Sequence, residues 1–544
     1  MIKKIYRIEH LLFLLLCIVS IFSYSQGMTD SYIVPKWCFT LFVLSLSIII
    51  LLTKDLCNRT IHVNTIVCSY IIIIIIFCQA LYGILQWLQW IPSIWAHRIV
   101  GSFDNPAGFA SCLCTGLPFV LLCLKSAKKT IFKIGLSLSA SVIILVIILV
   151  IILAIILAES RSGMISVVTV ASVLCWPYIP LKKRPKTIAF ICIFFLLLGG
   201  SYFLKKESAD GRLLIWKCSW EMIKESPIYG HGINSFKIHY MDYQADYFEK
   251  HPNSMYSILA DNVPCPFSEY LTILLNFGFI GLFMLFGVIF CLLFCYYKQP
   301  RTEGKIALLS LLSVSIFSLF SYPFTYPFTW IIVCFSIHTL IKGRILQRIP
   351  SSYKKSLYII SIIFCLGFLY KLYQRVDAEY KWENVAYLYT TTENMITYKK
   401  LMPILGNNPY FLYNYAIALL NVKNLDESLD KALKCQHYWA DYDLELLLGN
   451  IYKQRKEYDM AEKHYHKAVY MCPCRFVPLY QMFELYKEIE NKKRCQSVAQ
   501  LIIEKPVKVP SSMVRLIKYR VKQELNSKKY YGNKEENNRE RTSR

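Results

Sequence analysis

The sequence predicts an all-α protein: a polytopic membrane helix bundle of about eleven spans, with a long outer loop and a C-terminal helical-repeat domain. Three observations carry that expectation. The 544 residues are 55% hydrophobic and only 18% charged, against about 25% charged in ordinary soluble domains. Apolar stretches approaching the roughly 20 residues of a bilayer-crossing helix recur as far as about residue 373. Beyond them the chain turns polar and takes up a helical-repeat spacing. This composition excludes an ordinary soluble enzyme, a disordered chain and a disulfide-stapled mini-protein.

The apolar stretches lie near 9–25, 36–53, 64–86, 106–124, 134–158, 163–181, 187–204, 270–296, 306–322, 324–341 and 356–373. Val142 to Leu157 is almost pure Ile, Leu and Val, longer than a soluble core strand. Ser321-Tyr322-Pro323 leaves room only for a tight hairpin. One alternating set of loops holds 21 Lys and Arg, the short loops of the other set only Lys36, Arg98 and Arg161. By the positive-inside rule the N-terminus is cytoplasmic. The long loop, about 205–269, and everything after about 374 then lie outside, in the periplasm of a bacterium, with the protein in the inner membrane. Much of the net charge of +25 is therefore topological, and no nucleic-acid partner is expected. Ser23-Tyr24-Ser25-Gln26 is a poor signal-peptide cleavage site, so the first span is expected to stay.

The expected organisation is a membrane domain over 1–373, helical repeats over 374–526 and a disordered basic tail over 527–544. Leu448-Gly449, Tyr452, Tyr458, Ala461, Tyr465, Ala468 and Pro473 follow tetratricopeptide spacing, with weaker copies on either side. Such repeats present a concave surface to a peptide or protein partner; a helical bundle with no ligand is the plainer alternative. Cys472-Pro473-Cys474 lacks redox or zinc spacing and reads as structural.

Ionisable residues at membrane depth are functional candidates. Four places stand out, all on the expected outer side. Gly101-Ser102-Phe103-Asp104-Asn105-Pro106 enters the fourth span after a loop carrying Trp95, His97 and Arg98; taken alone, an aromatic belt with a helix cap is the simpler explanation. Glu159-Ser160-Arg161-Ser162-Gly163 sets an arginine between two apolar helices, to meet an anion or to snorkel. Asp210-Gly211-Arg212, Trp216 and Pro227-Ile228-Tyr229-Gly230-His231-Gly232 follow, the glycines suggesting a turn packed close to a ligand or another element. Pro266-Phe267-Ser268-Glu269-Tyr270-Leu271 opens the eighth span, where Glu269 could simply complement the helix dipole. No P-loop, dinucleotide fingerprint, zinc spacing or Ser-His-Asp arrangement is evident, which argues against an ATP-driven pump, a dehydrogenase or a metalloprotease, and no cofactor is expected.

In order, spacing and sidedness these motifs, with Phe277-Gly278-Phe279-Ile280-Gly281, resemble the O-antigen ligase superfamily over roughly residues 80–340. That group includes O-antigen ligases, O-antigen polymerases and bacterial protein O-oligosaccharyltransferases. The resemblance implies transfer of a glycan from undecaprenyl diphosphate to an acceptor hydroxyl on lipid A core, a growing glycan or a protein, at the periplasmic face and in contact with membrane lipid. It implies functional arginines at Arg161 and Arg212, with Arg98 a weaker third. Guanidinium suits this work because it stays charged and grips phosphate oxygens with paired hydrogen bonds. Two arginines could replace a metal, so the resemblance implies no metal requirement. The Asn105 and Trp216 regions, with Gly230 and Gly232, would shape the substrate cavity. The family's His-Asn pair before Glu-Tyr-Leu is missing: the stretch reads Cys265-Pro266-Phe267-Ser268-Glu269-Tyr270. Glu269 is then the better candidate for acid–base work, with His231, His239 and His251 as weaker ones. A repeat-unit polymerase, a degenerate scaffold and, less strongly, a flippase remain as alternatives.

Overall fold

The structure is a computed structural model that describes residues 7–57, 63–93, 99–122, 137–180, 182–204, 206–341, 351–386 and 392–526. Arg98 and the tail 527–544 fall outside these residues. Among the described residues no strand forms, and the architecture is all-helical. In chain order the helices are α1 (Ile8–Phe22), α2 (Ile33–Leu56), α3 (Thr65–Trp87), α4 (Pro106–Gly116), α5 (Ser137–Leu157), α6 (Arg161–Cys175), α7 (Lys183–Leu204), α8 (Lys206–Glu225), α9 (Ser235–Lys250) and α10 (Glu269–Lys298). They continue as α11 (Thr302–Ser318), α12 (Pro327–Ile341), α13 (Ser351–Ala386), α14 (Thr392–Leu405), α15 (Pro409–Asn421), α16 (Leu425–Gln436), α17 (Tyr442–Gln454), α18 (Tyr458–Met471), α19 (Val477–Glu488) and α20 (Lys492–Glu504). A last helix covers 512–526.

A helix lies over each expected apolar stretch. Among the described residues Ile33–Leu56, Thr65–Trp87, Glu269–Lys298 and Tyr353–Ala386 are long and apolar enough to cross a membrane, and four more helices are apolar but shorter. The chain is a multi-pass membrane protein.

It divides into two compact units. The first comprises Met1–Lys205, Phe267–Ile273 and Phe279–Leu388. Its core joins Ile72 and Ile76 of α3, Phe109 and Leu113 of α4, Ile151 and Ile155 of α5, and Phe317, Ile332 and Phe335. The Ile-rich α5 is two-sided: Ile151, Ala154 and Ile155 are buried while Ile143, Leu149 and Leu153 are exposed, as on a lipid-facing helix. Seryl contacts knit α4, α6 and α11: Ser166 and Ser313 hydroxyls lie 2.8 Å apart, Ser313 donates to Cys114 O, and Ser310 donates to Thr115 O. Small hydroxyl residues permit close helix approach where no hydrophobic force drives it. The polar last turns of α13 also belong here. Buried Glu379 pairs with Arg375 and accepts from Thr29.

The second unit comprises Lys206–Pro266, Leu274–Gly278 and Tyr389–Arg544. The C-terminal helices pack as successive pairs, α15 on α16, α17 on α18 and α19 on α20. Gly449 is glycine for contact: a Cβ there would collide with the Tyr465 ring. Ala461 and Ala468 are fully buried around the same ring, and Tyr465 Oη donates to Asn450 at 2.7 Å. The long-loop helices α8 and α9 pack on each other, and α9 packs on α18.

Candidate active site

In the first unit, four helices start close together. α4, α6, α10 and α12 begin at Pro106, Arg161, Glu269 and Pro327. Three of the starts are capped by side chains: Asn105 accepts from Gly108 N–H, Ser160 from Gly163 N–H and Ser268 from Leu271 N–H. Pro323–Thr325, a single 3-10 turn before α12, with Tyr326 after it, joins the starts of α4, α10 and α12. Tyr326 Oη donates to Asp104 Oδ1 at 2.7 Å, and Phe324 N–H donates to Glu269 Oε1 at 3.1 Å. Near the start of α6, Gly163 brings its backbone against Ala110 of α4, and Cys114 Sγ donates to Gly163 O. Unpaired N–H groups and aligned peptide dipoles give such an end partial positive charge, which favours anions.

Asn105 is the hub. Its Nδ2 donates to Asp104 Oδ2 at 2.8 Å and to Tyr326 Oη at 2.7 Å, while its Oδ1 holds Gly108 N–H at 2.8 Å. The whole amide is thus committed to shaping the entry of α4. The turn before it is fixed equally firmly. Gln86 accepts from Gly101 N–H at 2.7 Å and donates to Gly101 O at 3.0 Å, and Ser102 Oγ donates to Ile21 O. Gly101 sits at φ +58°, where a Cβ would strike Gln79 and Phe109. Phe103 is buried edge-on to the Tyr326 ring at 5.1 Å.

Arg161 is the first residue of α6, partly buried, following Glu159 at φ +50° and the Ser160 cap. The sequence reading missed two residues here. Tyr326 looked like an ordinary span residue. Lys36 was counted as a loop charge, but it is fully buried, donates to Ser23 O at 2.8 Å and lies 5.5 Å from the Phe103 ring centre. A lysine just inside an apolar run was the available signal.

In the second unit, Arg212 and Trp216 stand one turn apart on α8. Trp216 Nε1 donates to Pro266 O at 3.3 Å, and Asp210 is buried on the same helix. The two glycine motifs meet. His231 N–H donates to Leu275 O at 2.8 Å and Gly232 N–H to Asn276 O at 3.0 Å, while Ser235 Oγ donates to Asn276 Oδ1 at 2.8 Å. Gly278 breaks α10 at φ +61°, and a Cβ there would run into Ile228 O. A Cβ on Gly230, at φ +70°, would stand 2.5 Å from Asn276 C. Gly230 therefore serves contact between the motifs, whereas the space beside Gly232 is open.

The imidazoles are also placed. His231 Nε2 lies 2.7 Å from Met222 O, an acceptor only, so Nε2 is the donor. His239 stacks obliquely 5.8 Å away, and its pKa is pushed down by burial and by the His231 ring. His251 ends α9: its Nδ1 donates to Tyr247 O, and its ring stacks on Tyr247 at 4.7 Å in an exposed position.

Part of this geometry, including Arg161, Arg212 and Glu269, lies within a recognisable domain. Residues 107–286 match the family model described as O-Antigen ligase. That segment is similar to the O-antigen ligase family. No curated protein and no solved structure matches it.

Proposed function

We propose that the protein is a membrane glycosyltransferase that moves a glycan from undecaprenyl diphosphate to an acceptor hydroxyl at the periplasmic face of a bacterial inner membrane. The observation that carries this reading is the cluster of helix starts in the first unit: Asn105, Tyr326 and Glu269 join those of α4, α10 and α12, Gly163 joins α6 to α4, and Arg161 and Glu269 lie in the family-matched segment. The leaving lipid diphosphate gains negative charge as the glycosidic bond breaks. Fixed donors waiting where that charge grows give the largest catalytic contribution in many enzymes. Arg161 and Arg212 are assigned to the diphosphate by their family motifs and by the chemistry of guanidinium. Glu269, already hydrogen-bonded through Oε1, is assigned to the acceptor hydroxyl in place of the missing family histidine.

The test is transfer by the purified full chain, supplied with undecaprenyl-diphosphate-linked glycan and candidate acceptors. The reading expects transfer by the native protein and its loss in Arg161→Ala and Arg212→Ala. A native protein that binds donor but transfers to no acceptor would move the weight to a non-enzymatic scaffold.

A further inference from the structure

The edge of the C-terminal helix pairs is already occupied, by the chain's own loop. Gln244 of α9 is fully buried and donates to Met471 O at 2.6 Å and to Asp261 O at 3.1 Å, while Tyr240 Oη donates to its Oε1 at 2.7 Å. Lys467 of α18 lies 2.8 Å from Asp242 of α9 and 2.9 Å from Glu445 of α17. Glu445, itself buried, also takes His464 Nδ1 at 2.6 Å and Gln436 Nε2 at 3.1 Å. Asn262 donates to Asp441 at 2.6 Å, Arg475 pairs with Asp261 at 2.6 Å, and Ala440 N–H donates to Lys237 O. Glu445 and Gln244 are buried while Asp242 and Lys467 are half-buried, so the contact is anchored on a buried carboxylate and a buried amide, each costly to leave unpaired.

That geometry reaches Arg212. The helix α8 carrying it packs on α9, with Cys218 and Met222 buried on α8, and Phe236 and Tyr240 buried on α9. Lys217 Nζ lies 4.9 Å from the Tyr247 ring centre, and Tyr243 Oη donates to Glu225.

We infer that the C-terminal helices act as an internal clamp on the loop, with Asp242, Gln244 and Lys467 as positioning residues that hold α8 and so Arg212. The role of Arg212 in this inference rests on the transferase reading; the clamp itself does not.

The experiment uses the full-length protein in detergent and two readouts. Hydrogen exchange over 206–250 reports docking without any substrate, and donor KM and kcat report Arg212. Asp242→Asn removes the loop's charge and leaves Glu445, His464 and Lys467 together. It is expected to speed exchange in α8 and α9 and to raise the donor KM, each by about tenfold, a coupling usual for residues in one ion-pair network. Asp242→Glu should restore both. Mere loss of folded protein would lower kcat alone. Lys467→Met repeats the test from the other side should Asp242→Asn misfold. Unchanged exchange, or faster exchange with an unchanged KM, overturns the inference. A native protein that transfers nothing defeats the transferase reading, while exchange in the two variants still decides the clamp.

Discussion

Tyr326 donates its hydroxyl to Asp104 across 222 positions of sequence, at 2.7 Å. The same oxygen accepts from Asn105, so one phenol joins the start of α12 to the cap of α4. The ring is 2% exposed, and the space it fills is the space Gly108 leaves by lacking a Cβ.

Tyr326→Phe keeps the ring and deletes this junction. Asp104 and Asn105 then each lose a buried partner, which costs about 1–3 kcal/mol. Transfer should fall about tenfold if half of that is felt in the transition state, with the protein still inserted. Steady-state kinetics on equal amounts of purified protein check this.

Glu269→Gln keeps an acceptor for Phe324 N–H but removes the titratable group. If Glu269 works on the acceptor hydroxyl, transfer falls by about a hundredfold or more, while the melting temperature is unchanged. Near-native transfer would reduce Glu269 to an anchor of the turn.

The glycines separate by surroundings. Gly278→Ala and Gly230→Ala put a Cβ into opposing backbone and should loosen the loop severely. Gly232→Ala meets open space and pays only the positive-φ cost, about 1 kcal/mol. Melting temperatures of the three variants should rank accordingly.

Asp441 supplies a pH signature. Burial pushes its pKa up to about 6, against 3.8 ordinarily, although Asn262 and the Asp443 N–H oppose the shift. A carboxyl raised in the folded state favours folding in its protonated form. Its contribution is therefore fully present below the ordinary value and lost as pH rises through about 6. Lowering pH from roughly 7.5 to 5.5 should slow exchange near the start of α17 in the native protein, and Asp441→Asn should lose that part of the response.

Much of the fold was legible because its signals are local. Apolar runs marked the helices, and Asp104 or Asn105 before Pro106 announced the start of α4 by cap chemistry, while the caps Ser160 and Ser268 went unread. Partners far apart in sequence were not legible. The segment around Ser321-Tyr322-Pro323 read as a bare hairpin because nothing local tells that Phe324 and Tyr326 serve Glu269 and Asp104. Both glycine motifs were visible, but not that Gly278 receives Ile228. Asp242, Glu445 and Lys467 resembled solvated helix charges, since only docking of α9 on α18 joins them into one network around the buried Glu445.

The central claim, that motif arginines hold a lipid diphosphate during glycan transfer, is tested most directly by Arg→Lys at both positions. Lysine preserves the charge and loses the two-pronged grip. With undecaprenyl-diphosphate-linked glycan as donor, Arg161→Lys and Arg212→Lys should each lower kcat/KM by about tenfold or more, and the alanine variants by about a hundredfold or more. Native rates in both alanine variants, at equal amounts of folded protein, would contradict the claim.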